Sequence, residues 1–274
     1  MTANQPPLDE FKQQIAESFN RRKNYDAEGD FHPKLARRLV EYAGIQPGEK
    51  IIDMATGTGL VAIAAGEIVG DGGKVIGIDI SPGMLEQAKT KIETAKINNI
   101  EIRQTDVETL ELPPNSCDRI LCCTALPFLR DIPGTLRRWR GFIKPGGKIG
   151  LCVFSETAFI AGNVLREAAE KYGVSLPSWS AATGNLDKCY KLLEEAGFNS
   201  IEVFAEQLGN YVDLGEAMKI WEWSLTHPLC LPLQQQDAER RELIKTEYFG
   251  KMEALVTDKG IWNDIETFFL FGLK

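Results

Sequence analysis

Two aspartates set around a glycine-bearing turn are the residues most suited to chemistry. The first opens the run Asp53-Met54-Ala55-Thr56-Gly57-Thr58-Gly59-Leu60, and the second, Asp79, lies 20 residues beyond Gly59. Glycines in such a turn let the backbone approach a ligand where a side chain would block it. An acidic side chain at Asp79 can accept hydrogen bonds from both hydroxyls of a ribose. The spacing Gly57-x-Gly59-x-x-Ala62 also fits a dinucleotide, so an NAD(P)-dependent oxidoreductase is one alternative and a ligand-free structural turn another. Asp53 favours a different ligand. A carboxylate facing the turn suits a cation carrying an ammonium and a sulfonium, and it would repel a pyrophosphate seated on the following helix N-terminus. Farther on, Asp106 stands beside Val107. A carboxylate there can accept from an adenine amino group while the apolar neighbour covers the ring, although a turn or helix-cap aspartate looks the same in sequence.

These residues need a scaffold, and the chain alternates in a way that supplies one. Runs at 50–54, 74–79, 100–104, 118–123 and 148–154 read as strands, and 60–69, 81–96 and 132–142 as helices. Ser81-Pro82 gives an N-cap followed by proline at the first helical position. Such alternation predicts an α/β fold: a Rossmann-like, seven-stranded, mostly parallel sheet with one late antiparallel strand and helices on both faces. Ahead of it, apolar spacing at Leu8, Phe11, Ile15 and Phe19 predicts a helix, and a second is expected at 33–43, stopped by Gly44. After Phe154 come expected helices at 161–172 and 186–196, a strand at 201–204, and a mainly helical block over 213–258 broken at His227-Pro228 and Pro232. Phe268-Phe269-Leu270-Phe271 reads as the last strand. The implied organisation is an N-terminal helical cap (1–45), a cofactor-binding core (46–206), a helical lid inserted before the last strand (207–260) and the final core strand (261–274), with the first seven residues as a loose tail.

In their order and spacing these motifs resemble the class I S-adenosylmethionine-dependent methyltransferases, in particular the branch with the ubiquinone/menaquinone-biosynthesis C-methyltransferases. The resemblance runs over about residues 19–154. It rests on Phe19-Asn20-Arg21 with Tyr25-Asp26, the run 53–59, Gly77-Ile78-Asp79-Ile80-Ser81 with Met84-Leu85, Asp106-Val107, and Ile143-Lys144-Pro145-Gly146-Gly147. It implies that Asp53, Ala55, Gly57 and Gly59 hold the methionine part of S-adenosyl-L-methionine, and that Asp79 binds the ribose. It further implies that Ile80 and Met84 flank the adenine and that Asp106 and Val107 fix its edge. Cys123 and Thr124 would line the cofactor beside the transferred methyl, and Tyr25 would close over it. The family often has glycine where Ala55 stands, but Ala-Thr-Gly is common in the quinone branch.

Methyl transfer from a sulfonium asks the protein mainly to align the reactants and exclude water, and a base is required only when the acceptor must shed a proton. The only histidines, His32 and His227, are the candidate bases, and each also reads as a structural residue at a helix start or in the helical block. The stretch Cys122-Cys123-Thr124-Ala125-Leu126-Pro127-Phe128 lacks the Pro-Pro-aromatic motif of base-amino methylation and the carboxylates of metal-dependent catechol methylation, so no metal is expected. A net charge of −8 argues against a nucleic-acid substrate. Trp221 and Trp223, two apart on a helix, would point to different sides, one into a core and one toward a pocket. The expected reaction methylates O, N or C of a small, hydrophobic or aromatic metabolite, a quinone precursor or secondary metabolite, releasing S-adenosyl-L-homocysteine. A catalytically silent S-adenosylmethionine-binding module is the remaining alternative. Six cysteines without a CxxC pair, and no apolar run of membrane-spanning length, lead to an expected cytoplasmic monomer or homodimer.

Overall fold

A computed structural model describes residues 8–274, so the expected tail over the first seven residues lies outside the described part. Helix α1 (Glu10–Asn20) begins at Asp9, whose side chain accepts the Lys12 N–H at 2.9 Å. Helix α2 (Phe31–Ala43) ends as expected at Gly44, in the left-handed region at φ 62°. The alternating part follows as β1 (Lys50–Met54), α3 (Leu60–Val69), β2 (Lys74–Asp79), α4 (Pro82–Thr94), β3 (Ile100–Gln104), β4 (Cys117–Cys123), α5 (Ile132–Phe142) and β5 (Ile143–Phe154). Then come α6 (Ile160–Lys171), α7 (Leu186–Glu195), β6 (Asn199–Gln207), β7 (Asn210–Val212), α8 (Leu214–Ser224), α9 (Leu231–Gln234), α10 (Ala238–Glu253), β8 (Ile261–Asn263) and β9 (Glu266–Leu273).

Seven strands form one mixed sheet in the order β3-β2-β1-β4-β5-β9-β6. The pairs β1–β2, β1–β4, β2–β3 and β4–β5 are parallel. Strand β9 runs against β5: Ser155 N–H donates to Glu266 O at one end (3.0 Å) and Lys274 N–H to Gly147 O at the other (2.9 Å). Chain order reverses direction between β1 and β4, the switch point where open α/β sheets bind ligands beyond their strand ends. Ile51, Ile52, Asp53 and Met54 are all buried, which is why β1 reads as a run without alternation. Trp139 of α5 is fully buried and donates its indole N–H to Val107 O (3.0 Å), fastening the loop after β3. Cys117, Cys122 and Cys152 are buried strand residues, and burial pushes the Cys117 thiol up to about 12.

Two compact units emerge. One contains residues 8–153, 186–204 and 268–274, and the other 154–185 and 205–267. The second is therefore larger than the helical block expected over 207–260. Val164, Leu165, Ala168 and Ala169 of α6 share a core with Ile244, Tyr248 and Met252 of α10, and this packing draws the segment after β5 into the second unit. The Tyr248 hydroxyl donates to Ala217 O of α8 at 2.7 Å. The expected final strand over 261–274 is also divided. Residues 261–263 pair antiparallel with β7 in a separate two-stranded sheet, and the core strand begins at Glu266. Among the described residues no helix is long and apolar enough to cross a membrane.

Candidate active site

The turn after β1 is built from left-handed residues. Ala55 (φ 56°), Gly57 (φ 54°) and Gly59 (φ 81°) all lie there, and the Thr56 N–H donates to Ile78 O at 2.8 Å, holding the turn against β2. The two glycines have different duties. A Cβ on Gly59 would sit 3.1 Å from Ala88 Cβ of α4, so Gly59 permits close packing. A Cβ on Gly57 would meet nothing within 4 Å, so Gly57 borders open space that a ligand can approach. Ala55 occupies a conformation that disfavours a side chain by about 1–2 kcal/mol, which accounts for glycine being common there in the family it resembles.

Under this turn sit two buried carboxylates. Asp53 Oδ2 accepts from Thr56 Oγ1 (2.5 Å) and from Ala62 N–H (3.1 Å). Burial raises its pKa from 3.8 to about 7 against the pull of those two bonds, and the charge of Asp79 adds to the rise. Asp79 accepts from Gly57 N–H and from Ser81 N–H, both at 2.8 Å. Burial raises its pKa as well, opposed by the backbone bonds from Ser81, Gly57 and Ile80. Among the described residues no Lys or Arg pairs with either carboxylate. Two carboxylates at a ligand-accessible turn, with burial opposing their charge and no internal counter-ion, complement a cationic ligand that also bears hydroxyl donors.

The N-terminal segment is pinned to the same region. Asn20 Oδ1 accepts from Ser81 Oγ and Gly83 N–H, both at 2.8 Å, at the start of α4. Thr58 Oγ1 donates to Asp26 Oδ1 (2.6 Å), and Lys91 of α4 pairs with Asp26 Oδ2. These bonds bring Tyr25 and His32 into the same unit as the turn. The Tyr25 hydroxyl lies 3.2 Å from His32 Nδ1, the Arg22 guanidinium lies over the Tyr25 ring at 4.2 Å, and Phe19 packs edge-on to Phe128 after β4. At the end of β4, Cys123 is half-buried, and Thr124 adopts φ 57° while its N–H donates to Cys152 O at 2.9 Å. Met84 is buried and Ile80 half-buried on the entry to α4.

Asp106 and Val107 are both buried after β3. Asp106 Oδ1 accepts from Glu108 N–H at 2.9 Å, so it does form the turn that its sequence allowed. Its Oδ2 pairs with Lys12, a partner the sequence did not suggest for it. His227 falls in the second unit. Its Nδ1 accepts from Leu229 N–H at 3.3 Å and caps the short turn Pro228–Cys230, while its ring stacks on Trp223 at 4.0 Å. With Nδ1 accepting, the neutral ring carries its proton on Nε2, which leaves that nitrogen no lone pair for base work. Trp221 is buried and Trp223 half-buried, and the Trp223 ring lies against those of Trp179 and His227. Among the described residues no group of three His, Cys, Asp or Glu side chains is placed to hold a metal.

A family profile described as "Methyltransferase domain" matches residues 51–147, the span that carries Asp53, the glycine turn, Asp79 and Asp106. The chain is 34% identical over 154 residues to aklanonic acid methyltransferase DauC of Streptomyces sp. (strain C5), covering 56% of this chain and 69% of that protein. The chain belongs to the class I S-adenosylmethionine-dependent methyltransferases. The methyltransferase is also 35% identical over 126 residues, 46% of its length, to the ubiquinone/menaquinone biosynthesis C-methyltransferase UbiE of Shewanella sp. (strain W3-18-1), and the match spans half of that relative. Its fold resembles that of the YcgJ protein of Bacillus subtilis, with a TM-score of 0.59 at 16% identity over 89% of this chain and 99% of the other. Membership of this family sets aside the nicotinamide-dependent alternative.

Proposed function

We propose that the protein methylates an O, N or C atom of a small, hydrophobic or aromatic metabolite, in a site beyond the ends of β1, β2 and β4. The observation that carries this reading is the pair of buried carboxylates under the glycine turn, Asp53 and Asp79, with no Lys or Arg paired to either among the described residues, and the open space at Gly57. Asp53 with Ala55, Gly57 and Gly59 would hold the methionine part of S-adenosylmethionine, and Asp79 the ribose hydroxyls. Ile80 and Met84 would flank the adenine, whose edge Asp106 and Val107 would meet. Cys123, Thr124 and Tyr25 would border the reacting region.

When bound, the cofactor supplies a methyl group already activated on a sulfonium. The chain's own work is then to fix geometry and exclude water. Asp79 is held ready by the Gly57 and Ser81 N–H groups, so ordering it costs little at binding. Tyr25 and His32, within hydrogen-bond distance of each other, could take a proton from an acidic acceptor group. The names of the two relatives, which refer to aklanonic acid and to ubiquinone and menaquinone biosynthesis, support a small-molecule acceptor.

Transfer of labelled methyl from S-adenosylmethionine to a panel of quinols, polycyclic phenols, carboxylates and amines tests the proposal. Transfer to a member of the panel supports it. Labelling confined to protein or RNA would overturn it. With an accepted substrate, His32→Ala should lower kcat, leave the cofactor KM in place and remove one limb from the pH profile of kcat. An unchanged profile would eliminate His32 as a base.

A further inference from the structure

Lys12 sits in the middle of the apolar stripe of α1, between Phe11 and Ile15, and only 7% of it is exposed. Its ammonium pairs with Asp106 Oδ2 and, at 2.7 Å, with Glu108 Oε2. The paired carboxylates are not equivalent. Glu108 is saturated: it accepts from Arg130 N–H at 3.0 Å, Asp131 N–H at 2.9 Å and Thr135 Oγ1 at 3.3 Å besides Lys12. Asp106 has one donor on each oxygen, Lys12 and the Glu108 N–H. A carboxylate takes up to four donors, so Asp106 keeps acceptor capacity. One cation against two buried carboxylates also leaves an excess negative charge at Asp106, which favours a further N–H donor. Burial disfavours the Lys12 cation, yet its bonds to both carboxylates raise its pKa overall, so it stays charged throughout the neutral range.

We propose that Lys12 is a positioning residue for adenine recognition. It holds the Asp106 carboxylate by Oδ2 with its remaining lone pairs toward the exocyclic amino group of the adenine, so that cofactor selectivity depends on α1 being docked. This rests on the assignment of Asp106 to the adenine edge. The docking has further supports on the same face. Arg130 lies over the Phe11 ring at 4.1 Å and pairs with Asp9 at 3.6 Å, so α1 is held where the segment after β3 meets the segment before α5.

Calorimetric affinities for S-adenosylhomocysteine and S-inosylhomocysteine, which has a carbonyl in place of the amino group, read the effect directly. The full chain would be compared with Lys12→Met, Lys12→Arg and Asp106→Asn. Wild type should prefer the adenosyl ligand by about a hundredfold, the worth of a hydrogen bond to a charged group plus a mismatch. Lys12→Met should cut that ratio by about tenfold, with the inosyl affinity little changed, and Lys12→Arg should restore it. Because the ratio is taken within one variant, general destabilisation cancels. If Lys12→Met yields no folded protein, Lys12→Met/Glu108→Gln, which removes one negative charge with the cation, gives the same readout. A ratio unchanged in the methionine variant but collapsed in Asp106→Asn would overturn the role of Lys12 and leave the adenine assignment standing. A ratio unchanged in Asp106→Asn would overturn the adenine assignment itself.

Discussion

Asp53 should make cofactor binding depend on pH in a direction its burial dictates. Its pKa rises from 3.8 to about 7, a little over three units or about 4 kcal/mol of preference for the neutral acid. In the protein without ligand, the folded state therefore holds a proton that the unfolded chain releases. The resulting contribution to stability is complete below about pH 4 and is lost as pH rises through about 7. A cationic ligand reverses the preference, because it binds the carboxylate form. With a pKa of about 7, roughly a tenth of Asp53 is ionised at pH 6 and nine-tenths at pH 8. The affinity for S-adenosylmethionine should thus be about tenfold weaker at pH 6 than at pH 8, with close to one proton released on binding at pH 6. Calorimetry in buffers of different ionisation enthalpy measures both quantities. Asp53→Asn is the control: it should flatten the slope and abolish the proton release. Equal affinity at the two pH values in wild type, or the same slope in Asp53→Asn, would refute the reasoning.

Three further outcomes follow from single contacts. Asp79→Ala should weaken binding of both S-adenosylmethionine and S-adenosylhomocysteine by about a hundredfold or more, because two charge-assisted bonds to the ribose are lost, and isothermal titration reads this. Gly59→Ala should destabilise the protein by about 1–2 kcal/mol in urea unfolding, since a side chain at φ 81° is strained and its Cβ would press on Ala88 at 3.1 Å. Tyr248→Phe should cost about 1 kcal/mol in the same assay by removing the buried bond to Ala217 O, and no loss would mean that this bond contributes nothing net.

What could be read along the chain was what depends on neighbours in sequence. The strand-helix alternation, the Gly44 stop, the Ser81-Pro82 helix start and the Phe268–Phe271 strand all follow from local periodicity and backbone preference, and all stand in the structure. The glycine turn and Asp79 were legible for the same reason, since a strand, a turn and a helix in sequence fix the place of the residues between them. Asn20 and Asp26 lay in recognisable motifs, but nothing local told what they bind: Asn20 caps α4, and Asp26 ties Thr58 to Lys91. Lys12 carried one unread sign, a charge in an apolar helical stripe, which calls for a buried partner. That this partner is Asp106, 94 residues away, is a property of packing. So are the recruitment of α6 into the second unit, the pairing of β8 with β7 instead of the core sheet, and the stacking of His227 on Trp223. A residue's own period fixes the element it joins and the face it shows, whereas its partner across the fold is chosen by which faces bury one another, and that choice is made only when the whole chain is packed.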